Sequence, residues 1–169
     1  MQATDKYSSL TAERVRELFD YDKLTGYLTR RMSRGNTKKG SIAGNLRKDG
    51  RLQTSINNRQ YLNHRLIWLW VMGVWPQYEI DHCNGDPTDN RLENLRDVPT
   101  SVNRENLRKP DIDNTSGYLG VSWHKHTKKF QAKIKVSGKQ VYLGLFATPE
   151  AAHATYLAAK RQFHAGCTI

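Results

Sequence analysis

Length, composition and charge narrow the functional classes open to this chain of 169 residues, which can bury one moderate core or two small ones. Its 27 Lys and Arg outnumber 16 Asp and Glu, which gives a net charge of +11. We interpret this charge as a sign that the protein binds nucleic acid, rather than a membrane surface or a simple need for solubility. The longest apolar run, residues 66–71, is far short of the roughly 20 residues that span a bilayer. Cys83 and Cys167 form no Cys-x-x-Cys pair, which excludes a disulfide framework and a zinc knuckle.

The first half predicts a small mixed domain around one apolar helix. Thr11 is a suitable N-cap, and the Asn57–Asn58 pair suits a tight turn between two alternating segments. The expected elements are a helix from Thr11 with Val15, Leu18 and Phe19 on one face, a strand at 27–29, strands at 52–56 and 60–62, and a helix at 64–72 ended by Gly73. His64 is expected to be a helix cap or a packed polar group, with a role near a nucleic-acid phosphate as the alternative.

Residues 30–51 carry eight cations, one anion and four glycines, which predicts a flexible basic loop. Eight positive charges repel one another unless something negative is near, so phosphate contact is favoured over a solvated surface. The residues of this segment that we predict to bind nucleic acid are Arg47, Lys48 and Arg51.

Residues 78–107 predict a strand at 78–82, a turning loop at 85–88, a return strand at 95–98 and a helix at 101–107 capped by Thr100. Such a hairpin brings a carboxylate (Asp81), an imidazole (His82) and an amide (Asn103) together. Phosphodiester hydrolysis needs oxygen ligands for a hard cation and a base that is neutral at physiological pH. Turn formation is the alternative explanation for the many Asn and Asp residues, and a Cys83 nucleophile is disfavoured because a thiol needs its own base.

Asp81-His82, Asn94 and Asn103, with Asn90-Arg91 between them, resemble the HNH nucleases of phages and mobile introns over residues 61–108. The resemblance implies that His82 is the general base, that Asp81 and Asn103 are metal ligands, and that Asn94 orients His82 or ties the loop to it. It also implies one divalent cation. The family is named for a final His, and Asn103 in that place favours Mg²⁺ or Mn²⁺ over softer metals. Arg91 either binds the scissile phosphate or faces solvent, and Asn90 is a candidate staple for the loop.

Residues 109–116 are too polar to pack and predict a linker, and residues 117–169 predict three antiparallel strands followed by a helix that starts at Thr148-Pro149. Phe130, Ala132, Ile134, Val121, Trp123 and Val141 are expected to face the helix. This half resembles the ethylene-response-factor (APETALA) type of DNA-binding domain, which implies a sheet face against the major groove. A generic basic sheet-plus-helix domain is the alternative. The residues expected on the outer face are Ser122, His124, Lys133, Lys135 and Tyr142.

Together these patterns predict an α+β chain with a nuclease domain at 1–108, containing a strand-strand-helix metal hairpin (ββα-metal), and a DNA-binding domain at 117–169. The expected activity is metal-dependent cleavage of duplex DNA by a phage-encoded or homing endonuclease, one nick per site, leaving 5′-phosphate and 3′-hydroxyl ends. A non-catalytic DNA-binding regulator with a degenerate hairpin is the first alternative and an RNA-binding protein the second. A monomer without small-molecule cofactor is expected in the cytoplasm, neither secreted nor bound to a membrane, because the N-terminus is polar.

Overall fold

The computed structural model describes residues 10–169, and the chain divides into two compact units, Met1–Thr100 and Ser101–Ile169. Helices and small antiparallel sheets occur in both units, which confirms the predicted α+β class. Within residues 10–169, none of the helices combines the length and the apolar character that a bilayer crossing requires. The polar N-terminus behind the expectation of an unsecreted protein lies largely outside the described residues.

The first unit begins with a short helix that gives way to a strand. Thr11 caps α1 as predicted, its side chain accepting a hydrogen bond from Arg14 N. The helix ends one residue before Phe19, which sequence analysis wrongly placed in it. Phe19 and Tyr21 are buried on either side of an exposed Asp20, and that alternation belongs to a strand. The bounds are α1 Ala12–Leu18 and β1 Phe19–Tyr21, which pairs with β2 Leu28–Arg30.

The core of the first unit is built on α2, Asn63–Met72, where sequence analysis expected the apolar helix. Leu66 and Ile67 are fully buried in it, together with Val15 of α1 and Leu28 of β2. Gly73 ends α2 with a left-handed φ of 78°, a conformation that glycine adopts without steric cost. Before α2 lie β3 Asn45–Leu46, β4 Leu52–Ile56 and β5 Arg59–Leu62 in one antiparallel sheet, with positive φ at Asn57 and Asn58 in the predicted turn.

The basic segment 30–51 has more local structure than sequence analysis expected. It contains β3, and its backbone is tied to β2 by hydrogen bonds such as Ala43 N to Leu28 O at 2.8 Å. Asp49 accepts from both Arg47 and Arg51, so the one acidic residue closes the tip of the β3–β4 turn. The structure thus gives this segment some backbone pairing and a local ion pair, where the sequence predicted only a loop.

Another hairpin follows α2. The strands are β6 Glu79–His82 and β7 Leu95–Val98, in antiparallel register with Asp81 opposite Arg96 and His82 opposite Leu95, and a 3₁₀ turn at Leu92–Asn94 leads into β7. Helix α3, Thr100–Glu105, comes next in the chain. Thr100 lies inside α3 rather than capping it, and its hydroxyl donates to Glu79 Oε1 at 2.7 Å.

The second unit consists of a three-stranded sheet and a long helix. Strand β9 is central between β8 and β10, and α4 packs on one face through Ala152 and Tyr156 against Val121, Ala132 and Ile134. Thr148 caps α4 and Pro149 opens it, as predicted. The bounds are β8 Val121–His124, β9 Lys129–Val136, β10 Lys139–Phe146 and α4 Pro149–Phe163.

Two residues that were expected to be buried under α4 are more exposed. Trp123 shares the helix-side face with Phe130 but remains 45% exposed, and Val141 is 38% exposed. The register between β9 and β10 shifts between Tyr142 and Gly144, so strict alternation along β10 is broken.

The boundary of the compact units falls between Thr100 and Ser101, which assigns residues 101–108 to the second unit, while the linker at 109–116 stays a prediction.

Candidate functional site

Asp81 and His82 occupy the last two positions of β6, where the strand runs into the loop that returns to β7. Both side chains are buried, at 7% and 5% exposure. Arg96, directly opposite on β7, donates from Nε and Nη2 to Asp81 Oδ2 at 2.9 and 2.7 Å. The strand pairing thus places a guanidinium against the carboxylate of Asp81, next in sequence to the imidazole of His82.

The His82 ring is held by an amide from the loop. Its Nε2 lies 3.0 Å from Asn90 Oδ1, and Asn90 is almost completely buried, at 1% exposure. An amide oxygen can only accept, so this contact is a hydrogen bond in the tautomer that carries its proton on Nε2 and its lone pair on Nδ1. The sequence pattern predicts Asn90 only as a candidate staple, because its contact with His82 spans eight residues of irregular loop.

Asn94 ties the two ends of that loop together. Its Nδ2 donates to Asp89 O at 2.8 Å, and its Oδ1 accepts from Asn84 N at 2.9 Å. The backbone joins the same ends, with Cys83 N donating to Asn94 O at 2.8 Å. Asn94 thus links the start of the loop to its end, and the role beside His82 that the resemblance implies for it stays a prediction.

Burial keeps the imidazoles of this site neutral. Desolvation lowers the pKa of His82, opposed by the Asn90 hydrogen bond, while the charge of Arg51 lowers it further. His64, at the start of α2, packs edge-on to His82 with ring centroids 5.2 Å apart. Desolvation first, and then His82, lower the pKa of His64 to about 3. His82 is therefore a neutral base at physiological pH, and His64 is a packed residue as expected.

Arg91 is engaged by neighbouring acids. Its Nε and Nη2 donate to the two carboxylate oxygens of Asp89 at 2.8 and 2.7 Å, and Nη1 lies 3.0 Å from Glu93. The hydrogen bonds from Arg91 lower the pKa of Asp89 to about 2. Arg91 is still 42% exposed along its side chain, and its contact with a phosphate stays a prediction.

The remaining predicted residues lie in three places. Arg47, Lys48 and Arg51 lie at the β3–β4 turn of the first unit, and Asn103 lies on α3 in the second unit. The strand register pairs Lys133 with Tyr142 and Ser122 with Gln131. Alternation along the strands puts Lys135 and His124 on the same face as these residues. Ala132 and Ile134 lie on the opposite face, which α4 covers. The five predicted sheet residues therefore share one face of the second unit: Ser122, His124, Lys133, Lys135 and Tyr142.

Comparison with known proteins identifies the segment that contains this site. Residues 61–108 match the sequence model of a family described as HNH endonuclease, which confirms the predicted resemblance over those residues. The chain is also similar to Protein 3.8 of Escherichia phage T7, with 36% identity over 78 residues, which are 46% of this chain and 64% of the relative. The alignment thus spans less than two thirds of that relative. No solved structure matches the chain.

Proposed function

We propose that the protein is a phage-encoded, divalent-metal-dependent DNA endonuclease of the HNH type. The observation that carries the proposal is the buried His82, held through Nε2 by Asn90 and adjacent to Asp81, inside the segment that matches HNH endonucleases. His82 takes a proton from the attacking water through Nδ1. Asn94 keeps the loop closed around this base.

The donor chemistry fits a hard divalent cation. Among residues 10–169, no cluster of three or more His, Cys, Asp or Glu side chains is arranged to hold a metal, so an all-protein cage is not the kind of site to expect. The carboxylate of Asp81 suits Mg²⁺ or Mn²⁺, which keep water and phosphate oxygens among their ligands. Asn103 stays a ligand that is predicted from the HNH resemblance alone. A carboxylate has about four acceptor positions, so the Arg96 pair is compatible with coordination. When bound, the ion would stabilise charge on the phosphate and leaving oxygen.

In this proposal the basic surfaces bind duplex DNA. Arg47, Lys48 and Arg51 at the β3–β4 turn and Arg91 in the loop between β6 and β7 contact phosphates. In the second unit, the polar sheet face opposite α4 carries cations at Lys133 and Lys135, in the manner of the ethylene-response-factor type of domain. A monomer with one such site nicks one strand and leaves 5′-phosphate and 3′-hydroxyl ends. Homing and action in the host cytoplasm are further parts of this proposal.

The test is conversion of supercoiled plasmid to open circle in Mg²⁺ or Mn²⁺. The parent should nick, His82→Ala should lose nicking while DNA affinity is retained, and Asp81→Ala should also weaken metal binding. His126→Ala, an exposed histidine of the β8–β9 turn, is the matched control and should nick at the parental rate. Tight DNA binding without nicking under either metal would instead identify a non-catalytic regulator. In such a regulator the Asp81 carboxylate would serve only as the partner of Arg96 in their ion pair. Preference for matched RNA would identify the RNA-binding alternative.

A further inference from the structure

The N-terminal hairpin β1–β2 lies outside the matched segment 61–108, yet it is bonded to the loop behind His82. Tyr21, at the end of β1, is buried to 9% exposure. Its hydroxyl donates to Asn90 O at 3.2 Å and accepts from Leu92 N at 2.9 Å. One phenol therefore fastens the backbone on both sides of Arg91.

The ring of Tyr21 is itself fixed, and the hairpin turn contacts the same loop. The ring packs against Trp70 of α2 with centroids 5.8 Å apart. At the turn, Gly26 has φ 75°, and a Cβ there would lie 2.6 Å from Arg91 N and 2.7 Å from Asn90 C. A backbone this close needs glycine. The hairpin thus contacts residues 90–92 at two separate points.

From Asn90 the connection continues to the base. The Asn90 backbone contacts Tyr21 and Gly26, and its side-chain oxygen lies 3.0 Å from His82 Nε2. Asn90 is 1% exposed, so close packing restricts its amide, and a shift of its backbone would move that amide as well. The orientation of the His82 ring therefore depends on where the hairpin places residues 90–92.

We propose that Tyr21 is a positioning residue for the general base: its hydroxyl holds Asn90 in the place from which that amide orients His82. The inference rests on the proposed function for the role of His82 as a base. It extends the working site beyond residues 61–108, because a residue of the N-terminal hairpin then contributes to the chemical step without touching the substrate.

The direct test is Tyr21→Phe, which keeps the ring against Trp70 and removes only the hydroxyl. Single-turnover nicking at saturating DNA should fall by about 10- to 100-fold, since small misplacement of a catalytic group has effects of this size. The DNA concentration that gives half the maximal rate should stay unchanged. Tyr27→Phe, in the same hairpin, is the matched control and should keep the parental rate.

A second readout needs no activity. Nitrogen chemical shifts of ¹⁵N-labelled histidine should show His82 as the Nε2–H tautomer in the parent and as a mixture in Tyr21→Phe. Asn90→Ala should give the same mixture, and adding Tyr21→Phe to it should cause little further change in tautomer or rate, because both act through one contact. An inactive parent with the expected tautomer shift would refute the nuclease proposal and leave the positioning role intact.

Two results would overturn the inference. One is a Tyr21→Phe protein that nicks at the parental rate with an unchanged His82 tautomer. The other is available from the parent alone, should the variant fail to fold: rapid hydrogen exchange at the Leu92 amide, which ought to be protected by its bond to Tyr21, would show that the hydroxyl does not hold the loop.

Discussion

Acid should destabilise the first unit through His64, and the size of the effect follows from its burial. His64 has a pKa of about 3 in the folded chain, against 6.5 as the ordinary value. Between these values the unfolded chain binds a proton that the folded chain does not, so stability is complete above pH 6.5 and declines as the pH falls towards 3. Each pH unit is worth about 1.4 kcal/mol, so lowering the pH from 8 to 5 should cost roughly 2 kcal/mol.

Other titratable groups change the size of the stability loss between pH 8 and pH 5 but not its direction. Burial also lowers the pKa of His82, which adds to the loss in acid. Asp89, with a pKa of about 2, affects stability only below its ordinary value of 3.8. The His64→Phe substitution keeps a ring beside His82. It should therefore reduce the difference in unfolding free energy between pH 8 and pH 5 by about 2 kcal/mol. The part of that difference that comes from His82 should remain.

The assay is urea denaturation at both pH values, followed by tryptophan fluorescence in a Trp123→Phe background. The remaining indoles, Trp68, Trp70 and Trp75, all belong to the first unit, so the signal reports that unit. Comparing pH differences removes any constant cost of the Phe side chain. A His64→Phe protein with the same pH difference as the parent would refute the argument that His64 is buried in its neutral form.

Three further predictions concern the basic face and the two cores. Replacing Lys133 and Lys135 with Ala should make the slope of log affinity against log salt shallower by about 1.8, or about 0.9 for each phosphate that is no longer neutralised, and an unchanged slope would show that this face does not touch DNA. Gly120→Ala should unfold the second unit, since the new Cβ would lie 2.1 Å from the Tyr156 ring; near-ultraviolet circular dichroism of a folded variant would contradict this. Asn63→Ala should lower the urea midpoint, at a cost of roughly 1–3 kcal/mol for each buried partner left unpaired, and an unshifted midpoint would contradict it.

Local signals in the sequence were enough to predict most elements of both units. The Thr11 cap, the Asn57–Asn58 turn and the end of α2 at Gly73 depend on side-chain and backbone preferences that act within a few residues. The residues of the polar sheet face follow from period-two alternation along β8 and β9. Phe19 was misplaced because a helix of seven residues and the strand after it can share a run of apolar positions.

The residue types of the candidate site could be predicted from the sequence, whereas the contacts between them depend on the tertiary structure. The types and spacing of Asp81, His82 and Asn94 were sufficient to predict the HNH resemblance, because metal and proton chemistry restrict which side chains can serve. Which amide touches His82 depends on the path of an irregular loop, and that path is fixed by packing. Tyr21 bonds to Asn90 and Leu92 across about 70 residues of chain, a contact that no local pattern encodes. Only the folded core, which packs the N-terminal hairpin against α2 and the loop, brings these groups together.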